Sequence, residues 1–295
     1  MIGHLETVVA ALFPPPRVPL RRERWETPDG DFVDVDFTAA QGGGRLLVLL
    51  HGLEGGSDSH YARGLAARFG EAGWQVAIPH WRGCSGEPNR RPRAYHSGDT
   101  AELDWLLARF AGPVDALGIS LGGNVLLKWL GERGAAGATR VRRAAAVSAP
   151  LDLAAAAGAL DRGVNRLLYT RMFLETLKPK ALAKLERFPG IYDAARLRRA
   201  RTFREFDDLV TAPLHGFRDA EHYWSVSSSG PYLEQVRVPT LLVNARNDPF
   251  LPERALLAAT ARAARCVEID FPRTGGHVGF PPRWLAHRLM QFFRP

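Results

Sequence analysis

The sequence of 295 residues predicts an α/β fold, in which helices flank a mostly parallel central sheet and a helical insertion interrupts the pattern. Short apolar runs alternate with helix-like segments as far as Pro150. Strand character then disappears from Leu151 to about Gln235 and returns in two further runs before a last helix. Continuous apolar runs between helices are typical of parallel strands that are buried on both faces.

The order of the elements follows from hydrophobic periodicity. Leu5, Val8, Val9 and Leu12 fall on one face of a short N-terminal helix, and the alternation from Arg24 to Thr38 around Pro28-Asp29-Gly30 predicts a hairpin. The predicted strands are Leu46 to Leu50, Gln75 to Ile78, Val114 to Leu117, Ala144 to Val147, Thr240 to Val243 and Val267 to Asp270. The other predicted helices are His60 to Ala72, Thr100 to Phe110, Leu121 to Leu130 and Arg283 to Phe293. We therefore expect one discontinuous domain, residues 1–150 and 236–295, with residues 151–235 as a helical cap.

Composition indicates a soluble protein, with 46% apolar and 24% charged residues. The chain has no apolar run of membrane-spanning length, and its first residues lack the basic region of a signal peptide. Cys84 and Cys266 form neither a disulfide framework nor a metal-ligand spacing, so we expect a cytoplasmic location. For Cys84, the role of a small buried residue is favoured over that of a reactive thiol.

The net charge of +8 does not predict nucleic-acid binding. Arg outnumbers Lys by 35 to 4, which we attribute to codon bias, and the arginines are scattered without a nucleic-acid-binding motif. Contact with an anionic membrane surface remains open. Nothing in the sequence indicates an oligomeric state.

The residues Gly118-Ile119-Ser120-Leu121-Gly122 match Gly-x-Ser-x-Gly, the pattern of a nucleophile elbow. Chance alone would place this pattern in roughly one such chain in ten, so its context decides. A predicted strand leads into Ser120 and a predicted helix leads out of it, as the motif requires. Gly118 and Gly122 would allow the sharp turn, and Ser120 is the candidate nucleophile.

A serine nucleophile needs a base that is oriented by a carboxylate, and in this arrangement the chain order is Ser, acid, His. Asp248 and His277 have that order and each follows a predicted strand. Asp248 in Asn247-Asp248-Pro249 could instead be a turn residue, and Asp152 is the alternative acid. The histidines that precede Ser120, including His51, fit this order less well.

Backbone N–H groups would stabilise the oxyanion that forms when serine attacks an ester. Leu121 follows the candidate nucleophile, and Leu53 lies in the glycine-rich loop from His51 to Gly56 after the first parallel strand. These two residues are the predicted donors. The alternative is that His51-Gly52 simply ends a strand.

Together these segments resemble the α/β-hydrolase superfamily, and within it the YheT-like branch, which is related to eukaryotic ABHD-type ester and acylglycerol hydrolases. The resemblance spans nearly the whole chain and includes Gly3 to Thr7, Arg82 to Gly86, Tyr95 to Gly98, Phe203 to Asp208 and Gly275 to Phe280. It implies an α/β-hydrolase fold, with Ser120, Asp248 and His277 as the triad. Glu6, where relatives often carry Gln, is a departure that we expect to lie away from the chemistry.

The sequence therefore predicts a serine hydrolase that cleaves carboxylic esters, small or lipid-like, without a metal or organic cofactor. Apolar side chains of the insertion, such as Tyr169, Phe173 and Trp224, would either wall an acyl pocket or pack inside the cap. Two alternatives stay open. The same fold could serve an acyltransferase or lyase, or a non-catalytic module that binds small molecules.

Overall fold

The computed structural model describes residues 2–39 and 44–294. An eight-stranded sheet forms its centre, in the order β1-β2-β4-β3-β5-β6-β7-β8. The strands are β1 (Arg21–Glu26), β2 (Phe32–Phe37), β3 (Leu46–Leu50), β4 (Gln75–Pro79), β5 (Val114–Ile119), β6 (Val141–Val147), β7 (Thr240–Val243) and β8 (Val267–Asp270). Strand β2 pairs antiparallel with β1 and β4, and every other pair is parallel. The predicted hairpin, the predicted strands and the mostly parallel sheet are confirmed.

Helices cover both faces of this sheet. The core helices are α1 (Ile2–Leu12), α2 (His60–Glu71), α3 (Thr100–Ala108), α4 (Leu121–Arg133), α12 (Glu253–Thr260) and α13 (Pro282–Phe293). Phe69 of α2 and Phe293 of α13 are fully buried in the core on one face, and Leu106 of α3 and Trp129 of α4 in the core on the other. Burial on both faces explains why the strands read as continuous apolar runs.

All regular structure described between β6 and β7 is helical. It comprises α5 (Leu153–Leu160), α6 (Gly163–Asn165), α7 (Arg171–Arg187), α8 (Ala194–Arg199), α9 (Phe203–Phe206), α10 (Ala212–His215), α11 (Ala220–Ser227) and a 3₁₀ helix at Gly230–Gln235. Two π-helical turns, Arg166–Thr170 and Asp207–Thr211, join α6 to α7 and α9 to α10. Among the residues described, no helix combines the length and hydropathy needed to cross a membrane.

Helix α1 forms as predicted, but most of its apolar residues are turned to solvent and only Val8 of the predicted face packs against the core. Leu5, Val9 and Leu12 are exposed, whereas the buried residues of the helix are Gly3 and Thr7. The helix packs through these small residues because it lies directly against backbone. A Cβ on Gly276 would come within 2.6 Å of the carbonyl oxygen of Gly3. Close approach, rather than burial of large side chains, therefore sets the orientation of this helix.

Asn124 joins the helical segment to the core. This residue of α4 is fully buried, and its Nδ2 donates to the carbonyl oxygens of Ser97 and Ser227, both at 2.8 Å. Its Oδ1 accepts from the N–H of Ser229 at 2.9 Å. One amide therefore satisfies three buried backbone groups, one from the loop before α3 and two from the end of α11 and the residues that follow it.

We predict that Asn124→Ala lowers the free energy of unfolding by about 3 kcal/mol, since it leaves those three backbone groups without partners. Urea denaturation followed by circular dichroism measures the effect. Gln291→Ala, at an exposed position of α13, is the control and should change stability by less than about 0.5 kcal/mol. Equal midpoints for the two variants would contradict the structural role of Asn124.

Candidate active site

Ser120 occupies the turn between β5 and α4 in a strained backbone conformation, with φ 51° and ψ −118°. Its N–H donates to the carbonyl oxygen of Val147 at 2.8 Å, which ties the turn to the neighbouring strand β6. A Cβ at Gly122 would run into the carbonyl oxygen of Leu50, and one at Gly118 into the backbone of Gly122. The two glycines of the motif are thus required by close backbone contacts, and the turn holds the serine at the carboxyl edge of the sheet.

The structure brings together the three residues that the sequence singles out. His277 Nε2 lies 2.9 Å from Ser120 Oγ, and His277 Nδ1 lies 2.8 Å from Asp248 Oδ2. Because the Asp248 carboxylate accepts a hydrogen bond from the Nδ1–H of His277, the Nε2 of the neutral imidazole is left unprotonated and can accept a hydrogen bond from the serine hydroxyl. This is the hydrogen-bonding order of a serine, a base and an orienting acid.

Asp248 and His277 lie in a shielded environment. The Asp248 side chain is fully buried and that of His277 is 11% exposed. Burial raises the pKa of Asp248, and its interactions with His277 and with the N–H of Phe250 oppose this rise. The Phe250 ring stacks on the imidazole, with 4.2 Å between ring centroids. The Asp248 carboxyl group is thus shielded from water, and it lies next to a histidine whose ring orientation is fixed.

The N-terminal helix holds the loop that carries His277. The Thr7 hydroxyl accepts from the N–H of His277 at 2.8 Å and donates to the carbonyl oxygen of Gly3. Glu6 Oε2 accepts from Asn247 Nδ2 at 2.8 Å and from the N–H of Gly275 at 3.0 Å.

The expectation that Glu6 lies away from the chemistry is therefore wrong. Its carboxylate connects Asn247, which precedes Asp248, with Gly275, which lies two residues before His277. This contact is possible because α1 packs against both loops. Asn247 completes the bridge through its Oδ1, which accepts from the N–H of Gly276 at 3.0 Å. The roles of Glu6, Thr7 and Asn247 are not evident from the sequence, because their partners lie far along the chain.

Two further polar residues hold Val278, which follows His277. Ser148, just after β6, accepts from the N–H of Val278 at 3.1 Å, and His60 Nε2 lies 3.1 Å from its carbonyl oxygen. Val278 has a φ of 56°, which is unusual for a β-branched residue. Ser148 also has a positive φ, at 51°. The sequence signal for Ser148 is its position directly after a strand, as for Asp248.

The predicted oxyanion loop lies beside Ser120. A Cβ on Gly52 would come within 3.2 Å of Ser120 Cβ, and its N–H donates to the hydroxyl of Tyr61 at 2.9 Å. Leu53 follows directly, and its N–H is bonded to none of the described residues. Leu121 opens α4, where backbone N–H groups have no partner inside the helix. Among the described residues neither N–H group has a partner, and Leu53 and Leu121 both line the cavity at Ser120.

The next residue of the loop is tied to the helical segment. Glu54 has a φ of 56°, its N–H donates to the Tyr95 hydroxyl, and its carboxylate pairs with Lys180 of α7 at 2.8 Å. Cys84 lies at the same contact, with its thiol 3.9 Å from Lys180 Nζ. Burial raises the pKa of Cys84 to about 12, so the thiolate is disfavoured.

The alternative candidates do not join the site. Asp152 caps α5, where its carboxylate accepts from the N–H of Ala155. His51 is fully buried, accepts at Nε2 from the N–H of Trp81, and lies 2.8 Å through Nδ1 from the carbonyl oxygen of Gly52. Burial lowers its pKa to about 3. His51 is therefore a neutral structural residue that braces the loop.

A cavity of about 1200 Å³ opens at Ser120 and extends under the helical segment. Its reactive end contains Ser120, His277, Leu53 and Leu121. Its apolar wall includes Leu153, Leu160, Tyr169, Met172, Phe173 and Phe203. Trp224 instead packs inside the helical segment and donates to the buried carboxylate of Asp207. Apolar side chains of the insertion therefore line the cavity at Ser120 and also pack inside the helical segment.

Comparison with known proteins agrees with this architecture. A model of the family described as alpha/beta hydrolase fold matches residues 45–280. The chain is 39% identical to the putative esterase YheT of Escherichia coli over 312 aligned residues, which cover 97% of this chain and 88% of that protein. It is 28% identical to the phospholipase ABHD3 of Mus musculus, and the match covers 90% of this chain and 67% of that protein.

Among solved structures, the esterase Pf2001 of Pyrococcus furiosus has the same fold. It superposes with a TM-score of 0.60 at 15% identity, over 95% of this chain and 98% of that one. The family match covers strands β3 to β8, the turn at Ser120 and the loop of His277, and the relationship to YheT extends over nearly the whole chain. The chain belongs to the alpha/beta hydrolase fold family.

Proposed function

We propose that this protein is a serine hydrolase that cleaves carboxylic esters through a covalent acyl-enzyme. The observation that carries the proposal is the pair of hydrogen bonds that joins Ser120, His277 and Asp248, at 2.9 Å and 2.8 Å. The names of the relatives, which include a putative esterase and a phospholipase, support an ester as substrate.

The reaction runs in two halves. His277 Nε2 takes the proton of Ser120 while Oγ attacks the acyl carbon, and the resulting imidazolium returns this proton to the leaving alcohol. Water, deprotonated by the same nitrogen, then attacks the acyl-serine; the bond from the acyl carbon to Oγ breaks, the imidazolium returns its proton to Oγ, and the acid is released. Asp248 keeps the imidazole in the required tautomer and stabilises its positive charge.

The N–H groups of Leu53 and Leu121 stabilise the oxyanion in both halves. Each such donor is worth about 3 kcal/mol when it is preorganised in a site that excludes water. Leu121 N–H also lies at the positive end of the α4 dipole. The placement of Gly52 against Ser120 and the free N–H of Leu53 support this assignment.

Residues 151–235 act as a cap over this site, and residues 1–150 and 236–295 form the hydrolase core. The cap supplies the apolar wall of the cavity, whose size suits a long acyl chain. Free Cys84 and Cys266 fit a reducing compartment, and we place the enzyme in the cytoplasm.

We predict that Ser120→Ala reduces the hydrolysis of nitrophenyl esters by at least about 10³-fold, because it removes the hydroxyl that forms the acyl-enzyme. Rates should be measured for acyl chains from acetyl to palmitoyl. A fluorophosphonate probe should label the wild type and not this variant. Ser225→Ala, at an exposed position of α11, is the matched control and should keep full activity. Equal rates for wild type and Ser120→Ala would refute the assignment.

We predict that Asp248→Asn lowers kcat by about 10⁴-fold while the fold is retained, because an amide at this position no longer fixes the reactive tautomer of His277. Steady-state kinetics with nitrophenyl butyrate measures the loss. Asp152→Asn is the matched control, since asparagine also caps helices well. A loss of the same size in Asp152→Asn would reverse the choice of acid.

We predict that Thr7→Val lowers kcat by about ten- to hundredfold with little change in KM, because the displaced loop misplaces the base. Thr7 acts as a positioning residue, so Thr7→Ser, which retains the hydroxyl, should restore most of the rate. The kcat and KM of both variants provide the measurement. Full kcat in Thr7→Val would show that the hydrogen bond to His277 N–H has no catalytic role.

A further inference from the structure

Large exposed apolar side chains are concentrated in two places among the residues that the structure describes. Helix α1 and its following residue contribute one group, and the start of the cap from α6 to α7 contributes the other. We call these residues the apolar rim, and each is between 43% and 77% exposed: Ile2, Leu5, Val9, Leu12, Phe13, Val164, Leu167, Leu168 and Met172.

The two groups flank one opening. Leu12 of the first group and Leu168 and Met172 of the second are exposed and also line the cavity at Ser120. The two elements are in direct contact, with His4 Nδ1 3.2 Å from the Tyr169 hydroxyl. The cavity therefore reaches the surface between the two halves of the rim.

The charged residues around the rim indicate which kind of surface, a lipid bilayer or a second protein chain, could cover it. Arg162 and Arg166 are exposed and alternate with the apolar residues of the cap, whereas the exposed Arg171 is paired with Glu175 at 2.9 Å. Helix α1 carries one charged residue among those described, Glu6, and its carboxylate is bound to the loops of the site. The outward face of the rim is thus apolar with a positive margin. Apolar side chains with adjacent arginines suit a bilayer surface that contains anionic lipids.

A second copy of the chain fits less well. A partner chain seated on the rim would close the opening of the cavity. A bilayer instead leaves the opening in contact with acyl chains.

We propose that the apolar rim docks this protein on the surface of an anionic lipid bilayer. The apolar side chains enter the boundary between headgroups and acyl chains, and the arginines contact lipid phosphates. This contact is a property of the surface and does not depend on the proposed ester hydrolysis.

Flotation with vesicles tests the proposal. Vesicles of phosphatidylcholine, with or without phosphatidylglycerol, are mixed with the Ser120→Ala protein so that their composition does not change. In that background, Leu5→Asp combined with Leu167→Asp should reduce binding to the anionic vesicles at least about tenfold. Leu257→Asp is the matched control, because Leu257 is 52% exposed on α12 and outside the rim. It should bind as the parent does.

The charge of the rim is tested separately. Arg162→Gln and Arg166→Gln should each weaken binding to the anionic vesicles by about fivefold and leave binding to neutral vesicles unchanged. Absence of flotation, equal binding of the rim variant and its parent, or no preference for anionic vesicles would overturn the proposal. So would a dimer in analytical ultracentrifugation that dissociates on Leu167→Asp in a protein that binds no vesicles.

Hydrolysis of nitrophenyl acetate by the same variants with Ser120 intact separates this proposal from the proposed function. Leu5 and Leu167 lie outside the cavity lining, so their variants should retain full activity on this water-soluble ester. Loss of vesicle binding with full esterase activity supports the rim. Vesicle binding without any esterase activity in the wild type would support the rim and refute the hydrolase.

Discussion

The site depends on how the loop after β8 is held. His277 belongs to no helix or strand, yet its imidazole must meet both a strained serine and a buried carboxylate. Hydrogen bonds fix this loop from both sides, through Glu6 and Thr7 of α1 and through Ser148 after β6. The backbone N–H groups from Gly275 to Val278 are all bound, so the loop carries no unsatisfied donor that could draw it out toward water.

Strain concentrates around this loop. Four non-glycine residues among those described have positive φ, namely Glu54, Ser120, Ser148 and Val278. Each follows a parallel strand or belongs to the loop of His277. Such conformations cost about 1–3 kcal/mol each and persist only where the surroundings impose them. Here the paired strands and the buried hydrogen bonds impose them, while the large apolar core supplies the stability that offsets their cost.

The sheet and the order of the candidate triad could be predicted from sequence because both are local signals. A continuous apolar run such as Leu46 to Leu50 indicates a strand that is buried on both faces of the sheet. The pattern Gly-x-Ser-x-Gly indicates close backbone contacts within a single turn. The residues that hold the loop of His277 in place could not be predicted from such local signals. Thr7, Glu6 and Ser148 are polar residues of ordinary appearance, and their importance lies in partners far along the chain. Hydrophobic periodicity also predicted an apolar face for α1, but it could not predict whether that face would be buried. In the structure the small residues Gly3 and Thr7 make the close contact with the core instead.

The bond between Thr7 and His277 spans 270 positions of the chain, and this separation affects the order of assembly. Helix α1 cannot make this bond until the loop of His277 has been synthesised, whereas the strands that hold Ser120 can pair much earlier in synthesis. Closing so long a loop is entropically costly and is compensated only when the rest of the fold is in place. The alignment of the base is therefore the last part of the site to form, and a nascent chain exposes its serine before that serine has become reactive.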